Sequence, residues 1–427
     1  MHQYGFRSGH NTAHALGHFC NEIHSALAEN KFNISLFIDL KKAFDTVSFD
    51  LLLKKLNHYG VDKTELLWFS NYLYERKQST DINGIMSDVR EVNMGVPQGS
   101  VAGPLLFVIF INDLFLATDM KTILFADDTT FQCTGSNLHE LYDRVNYNLV
   151  KIENWFNANG LTLHPSKTKY MLFTNNKEHY HIRNIYLCGS KVDRVGEDCK
   201  DKYFKFLGML VDEKLNRKYH INMLRKKLAS SNFALSNSKH KLPYKSRLSV
   251  FQSIINSHIN YCAIIYTNTK AKELNMLETL HKKALRHLTL AKYNAHTPFL
   301  YKSCNLLNFW DLITMQKALF MHNYRYDRLP ASFCNFFNFN NELNLNRLRH
   351  EDGNYIIENS LSPLYNCAST WNRLPYDLKN IQKTKIFTKK LKEKLISNYD
   401  ENCDKLLCYT CHPNKFNLNK PTLYDSD

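Results

Sequence analysis

Apolar positions run along this chain in two rhythms, one strand-like and one helical. Asn33-Ile34-Ser35-Leu36-Phe37-Ile38-Asp39 is mainly apolar and β-prone, which predicts a buried strand ending in a carboxylate. Ser48 then offers an N-cap with Asp50 in the first turn, so a helix is expected through Leu56. Asp62-Lys63-Thr64-Glu65 reads as a capping box opening a helix that carries Leu66, Leu67, Phe69, Tyr72 and Leu73. Asn83-Gly84 predicts a turn between Ser79-Thr80-Asp81-Ile82 and a strand-like run from Val89 to Met94. Gly103-Pro104 starts a further apolar helix. Thr122 to Ala126 and Thr129 to Phe131 read as the arms of a hairpin with Asp127-Asp128 at its turn, and a polar-faced helix then ends near Trp155-Phe156, closed by Asn159-Gly160. Strands and helices thus alternate over the first 210 or so residues, and helical spacing dominates afterwards. The fold class is α+β.

Charge narrows the partners. The 427 residues carry 55 Lys and Arg against 40 Asp and Glu, a formal net charge of +15, which points to a polyanion, nucleic acid before membrane. No apolar run approaches the roughly 18–20 residues that span a bilayer. The longest, Val101 to Ile111, is broken by Gly103 and Pro104. No apolar segment follows Met1-His2-Gln3 to make a signal peptide. Eleven cysteines, an odd and scattered set, fit a reducing compartment, so the expected location is intracellular, nucleus or cytoplasm. From Lys214 to Lys272 there is no Asp or Glu, while Arg217, Lys218, Arg225, Lys226 and Lys227 are among the cations there. Apolar residues recur within it at helical spacing, as at Ile221, Leu224 and Leu228, so a phosphate-contacting face is favoured over a merely solvated one.

The chemistry gathers around three carboxylates. Asp127 and Asp128 are adjacent within an apolar run, and burying like charges side by side is costly unless a cation joins them. Alone, the pair is equally an ordinary turn. Asp39, at the end of another buried strand, would meet them if the two strands were neighbours. Oxygen ligands of this kind suit two hard divalent cations about 3.5–4 Å apart. They favour Mg2+ over zinc. Cys403, Cys408, Cys411 and His412 lie within ten positions, too crowded for the usual two separated zinc-ligand pairs, and free thiols are the default.

Three segments then resemble motifs A, B and C of reverse transcriptases: Phe37-Ile38-Asp39-Leu40-Lys41-Lys42-Ala43-Phe44-Asp45, Gly95-Val96-Pro97-Gln98-Gly99-Ser100, and Phe125-Ala126-Asp127-Asp128. Their order and spacing are similar to those of non-LTR, LINE-type retrotransposons of the jockey and chicken-repeat-1 kind. Gln3-Tyr4-Gly5-Phe6-Arg7-Ser8-Gly9 resembles the fingers motif before A. Gly160 to Thr168 resembles motif D, and Phe206-Leu207-Gly208-Met209 the primer grip. Thr370-Trp371-Asn372-Arg373-Leu374-Pro375 is similar to a Trp-Asn-x-Leu-Pro segment near the C-terminus of these elements. The resemblance therefore covers nearly the whole chain.

It implies a right-hand polymerase: partial fingers and a palm over residues 1–212, with an antiparallel sheet packed on helices. A basic helical thumb would follow over 213–272 and a mainly helical C-terminal region over 273–427. The implied activity is RNA-directed DNA polymerisation by two-metal phosphoryl transfer. The partners are an RNA template, a DNA primer and deoxynucleoside triphosphates, with no membrane and an oligomeric state left open. The implied cofactor is Mg2+, two ions, with Mn2+ as the alternative. Asp39 and Asp127 would ligate both ions, Asp128 more peripherally, and Leu40 would add its backbone carbonyl. Phe44 stands where an aromatic ring crowds a ribose 2′-hydroxyl, and Gln98 and Gly99 where the incoming nucleotide lies. Lys167 would approach the triphosphate and Arg7 the template or a phosphate; Asp45 is expected to be structural. Arg217, Lys218, Arg225, Lys226 and Lys227 would hold the duplex, and His220 would be structural. The family carries more fingers residues ahead of Gln3 and an upstream endonuclease, so Met1 reads as the start of a truncated copy. The competing reading is an inactive remnant that at most binds nucleic acid.

Overall fold

In the computed structural model the described residues are 3–175, 182–334, 336–339, 355–356 and 362–399. Cys403, Cys408, Cys411 and His412 lie outside them. The chain forms two compact units, Met1–Ala15 with Ala26–Leu207, and Leu16–Ser25 with Gly208–Asp427.

The first unit is built on a five-stranded sheet: β1 Phe32–Ile38, β2 Lys121–Phe125, β3 Asp128–Gly135, β4 Lys169–Phe173 and β5 Asp193–Val195, in the order β5-β4-β1-β3-β2. Central β1 runs antiparallel to both β3 and β4, while β5 lies parallel to β4. All seven residues of β1 are buried because its two faces are covered differently. Phe32, Ile34, Leu36 and Ile38 join the main apolar core. On the alternate face Asn33, Ser35 and Gln132 bond to one another and to Thr134. Phe37, on that same face, stacks on Phe204 with ring centroids 4.2 Å apart. The Asn-Ile-Ser-Leu alternation is thus a strand buried twice, once by apolar packing and once by a hydrogen-bonded polar ladder.

Helices cover the apolar face. Among them are α2 Phe49–His58, α3 Lys63–Leu73, α4 Ala102–Ile111 and α5 Leu138–Ala158, while residues 16–25 of α1 Thr12–Ala28 cluster with the second unit. Leu141, Tyr142, Val145, Leu149, Ile152 and Phe156 form the buried stripe of α5 at the three-and-four spacing of an amphipathic helix. Each such side chain contributes roughly 1.5–3 kcal/mol when fully buried. The Ser48 hydroxyl accepts from Leu51 N, as the cap expectation required. The expected Asp62 capping box does not form: the Asp62 side chain makes no cap hydrogen bond, and Lys63, at the first helical position, has φ +45°. Asn83-Gly84 does make a turn, but Asp81–Ile82 pairs with Ile85–Met86, and Arg90–Glu91 returns to Lys77–Gln78 instead. The strand expected from Val89 is therefore the outer rung of one interrupted hairpin.

The second unit is helical among its described residues apart from short strands. Its longer helices are α6 Lys218–Ser238, α7 Ala271–Thr289, α8 Phe309–Arg325, α9 Tyr365–Asn372 and α10 Thr384–Ser397. Trp371 is fully buried at the end of α9, against His322 and Phe387, so the Trp-Asn-Arg-Leu-Pro segment is a core anchor of this unit. A buried polar chain runs from Asn256 to His281 to Tyr301. Asp311 sits in the same unit, with the Tyr399 hydroxyl donating to it at 2.5 Å. Among the described residues no helix is long and apolar enough to cross a membrane.

Candidate functional site

The sheet register brings the acidic positions together. Ile38, the last residue of β1, is opposite Thr129, and β3 begins one residue earlier at Asp128. Asp39 therefore emerges from the sheet beside the β2–β3 turn that carries Asp127 and Asp128. Ala126 holds that turn tight with φ +57°. For a residue with a Cβ this left-handed conformation costs roughly 1–2 kcal/mol. Outside contacts hold the turn in place. The buried Gln3 side chain accepts from Ala126 N at 3.0 Å and from Gly5 N at 2.7 Å, and Tyr4 N donates to Leu124 O at 2.8 Å.

Two electrostatic signs mark the cluster as suited to a cation. Burial, then the neighbouring carboxylates of Asp127 and Asp39, push the Asp128 carboxyl up to about 6, even though the residue keeps a solvent-exposed face. Asp39 Oδ2 is shut off from water and accepts no hydrogen bond, although its side chain as a whole is 42% exposed. Lys167 Nζ approaches that oxygen at 3.7 Å, an ion pair too long for a hydrogen bond. Leu40 bridges Leu163, through Lys41 N donating to Thr162 O and His164 N donating to Asp39 O. In such a bridge Leu40's own carbonyl faces away from the partner segment and is left for another donor or a cation. Among the described residues no three His, Cys, Asp or Glu side chains are drawn close enough to form a ready-made metal cage. The donor set is nonetheless all-oxygen and includes an anionic atom that accepts no hydrogen bond, which fits a hard divalent ion.

The Gly95–Ser100 loop is fastened to the segment after Asp39. Gly95 N donates to Val47 O and Val96 N to Phe44 O, both at 2.8 Å, and Gln98 Nε2 donates to Asp45 Oδ1 at 2.7 Å. Glycine is required at 95, where an added Cβ would meet the Asp45 carbonyl oxygen at 2.6 Å. At Gly99 the requirement is conformational: φ is +81° and the space around it is open. Phe44 stacks on Phe107 of α4, centroids 4.3 Å apart, with the residue half-buried. Arg7 is half-buried.

The basic residues divide. Lys218, Arg225, Lys226 and Lys227 are exposed on α6, while Ile221, Leu224 and Leu228 face inward. Arg217 departs from the expectation that it contacts nucleic acid. It is buried, and its guanidinium donates to Leu215 O at 2.5 Å and Asn268 O at 2.9 Å. Burial lowers its pKa, as expected for a cation committed to holding backbone. His220 is also buried, with Nδ1 accepting from Leu210 N, which agrees with a structural role. Sequence reading missed the use of Gln3, whose signal was only a glutamine two residues before a glycine.

Comparison with known proteins finds similar sequences. Residues 1–211 match the family model described as reverse transcriptase (RNA-dependent DNA polymerase). A probable RNA-directed DNA polymerase from transposon X-element of Drosophila melanogaster is 25% identical over 77% of this chain and 36% of its own length. The RNA-directed DNA polymerase from mobile element jockey of Drosophila funebris is 26% identical over 69% of this chain and 32% of its own. The chain thus spans about a third of the length of these relatives. A solved Candida albicans telomerase, in complex with a fragment of telomeric RNA, is 15% identical with a TM-score of 0.35, over 65% of this chain and 51% of that one. With its carboxylates at the ends of neighbouring strands, and with polymerases of non-LTR retrotransposons among its relatives, the segment 1–211 of this chain is a match to the reverse transcriptase family.

Proposed function

We propose that the chain extends a DNA primer with deoxynucleotides on an RNA template. The observation that carries this reading is the placement of Asp39 beside the Asp127-Asp128 turn, with one Asp39 oxygen that accepts no hydrogen bond. Asp39 and Asp127 would hold two divalent ions, Mg2+ by ligand chemistry and Mn2+ as the alternative, with Asp128 at the edge and the Leu40 carbonyl adding an oxygen. When bound, such ions lower the pKa of the attacking hydroxyl and neutralise charge on the departing pyrophosphate. Positioning is then the protein's main task. Gln98, held by Asp45, and the open backbone at Gly99 form the floor for the incoming nucleotide. Phe44 crowds a 2′-hydroxyl. Lys167 neutralises Asp39 until the triphosphate arrives and then turns to it.

On this reading the five-stranded sheet and its helices are palm with part of the fingers, and 213–272 is thumb. The described residues between 273 and 399 are a mainly helical extension. Lys218, Arg225, Lys226 and Lys227 contact template–primer phosphates, and Arg7 a template phosphate. The direct test is to supply a heteropolymeric RNA, an annealed DNA primer and deoxynucleotides, and to sequence the products. DNA complementary to the RNA supports the proposal; untemplated addition, or none, removes it.

A further inference from the structure

The Asp127-Asp128 turn does not hold itself. Ala126 N–H points out of the β2–β3 ladder, and its partner comes from the far end of the sequence, Gln3 Oε1 at 3.0 Å, 123 residues away. The same oxygen takes Gly5 N–H at 2.7 Å, and a parallel bridge joins Gln3 to Leu124. Gly5 lets the two backbones meet: a Cβ there would lie 2.4 Å from Ala126 N. Gln3 is 2% exposed, and its Nε2 has no partner among the described residues, so the side chain is kept for what its oxygen does. One neutral acceptor thus fastens the left-handed residue immediately ahead of Asp127.

We infer that Gln3 is a positioning residue for polymerisation: it sets the Phe125–Asp127 backbone so that the Asp127 carboxylate faces Asp39, touching no substrate itself. This rests on the polymerase reading above. A neutral side chain suits the place, because a permanent charge would add to the repulsion among Asp39, Asp127 and Asp128. Gln3→Met keeps length and apolar bulk but removes the acceptor. Gln3→Glu keeps a side-chain oxygen at the same reach and so restores an acceptor for Ala126 N and Gly5 N.

The test begins with amide hydrogen exchange at Ala126 in the full chain without substrate. Exchange at least tenfold faster in Gln3→Met than in wild type, and slowed again in Gln3→Glu, is expected. In primer extension Gln3→Met should lose tenfold or more in kcat with KM for deoxynucleotide within threefold. The Mg2+ concentration giving half-maximal rate should rise, and Gln3→Glu should recover most of both losses. Wild-type exchange at Ala126 in Gln3→Met would overturn the inference. So would an activity loss that only follows the folded fraction, with metal dependence unchanged. If wild type itself fails to extend a primer, the functional reading falls, while the exchange comparison still decides whether Gln3 holds the turn.

Discussion

Phe44 is packed in the fold and, on the proposed function, would also select against a ribose 2′-hydroxyl. Its ring is anchored by Phe107, so its position does not depend on a bound nucleotide. Phe44→Val should therefore raise ribonucleotide incorporation relative to deoxynucleotide at least tenfold, read from paired kcat/KM values on one template. Unchanged discrimination would make Phe44 a core residue only. Asp45 carries a second prediction. Its bond to Gln98 is exposed, so a double-mutant cycle of Asp45→Ala with Gln98→Ala should give a coupling of about 1 kcal/mol or less in stability. The same pair should couple more strongly in KM for deoxynucleotide, because the bond orients Gln98. The three aspartates were legible because each sits in a short contiguous pattern whose strand-end position can be counted. Gln3 was not, since a contact spanning 123 residues leaves no local periodicity to read.

At the scale of elements, α6 separates cations that one charge pattern had grouped together. The apolar spacing of Ile221, Leu224 and Leu228 gave the buried face correctly, which places Arg225, Lys226 and Lys227 outward. Arg217 stands before the first turn of α6, with φ +62°, where helical spacing says nothing about direction. Changing Arg225, Lys226 and Lys227 together to Gln should weaken template–primer binding for all sequences. If all three contact phosphates, it should also reduce the slope of log K against log salt by about 3. Arg217→Met should behave differently. It strips the donors from the Leu215 and Asn268 carbonyls, at about 1–3 kcal/mol for each carbonyl left buried and unpaired, and lowers the thermal midpoint. An unchanged midpoint with a smaller salt slope would return Arg217 to the binding face. The Asp62 capping box also failed with its pattern present: the Asp62 side chain makes no cap hydrogen bond, and Lys63 has φ +45°.

Taken whole, the molecule has a sheet-based unit carrying Asp39, Asp127 and Asp128 and a helical unit that contains buried polar contacts. Burial lifts the Asp311 carboxyl from 3.8 to about 7, against the smaller opposing pull of its bonds with Tyr399 and Asn308. A carboxyl that holds its proton more tightly when folded stabilises fully below its unfolded pKa, and that contribution is lost as pH rises towards 7. Wild type should thus lose stability relative to Asp311→Asn between about pH 4 and pH 7, by on the order of 4 kcal/mol at most. Parallel melting curves would contradict this. The α+β class and the alternating elements were readable from residue patterns. The division after Leu207 lies near the change expected at 212, but the grouping of Leu16–Ser25 with the second unit was not readable, because it depends on which helices share a core. Everything functional converges on one claim, that Asp39 and Asp127 act together on a bound divalent ion. Single-turnover extension of a DNA primer on RNA tests it most directly, with wild type, Asp39→Ala and Asp127→Ala compared across Mg2+ concentration. The account predicts Mg2+-dependent extension by wild type and a loss of at least a thousandfold in each variant, at unchanged template–primer affinity. Extension by either variant at the wild-type rate would contradict it.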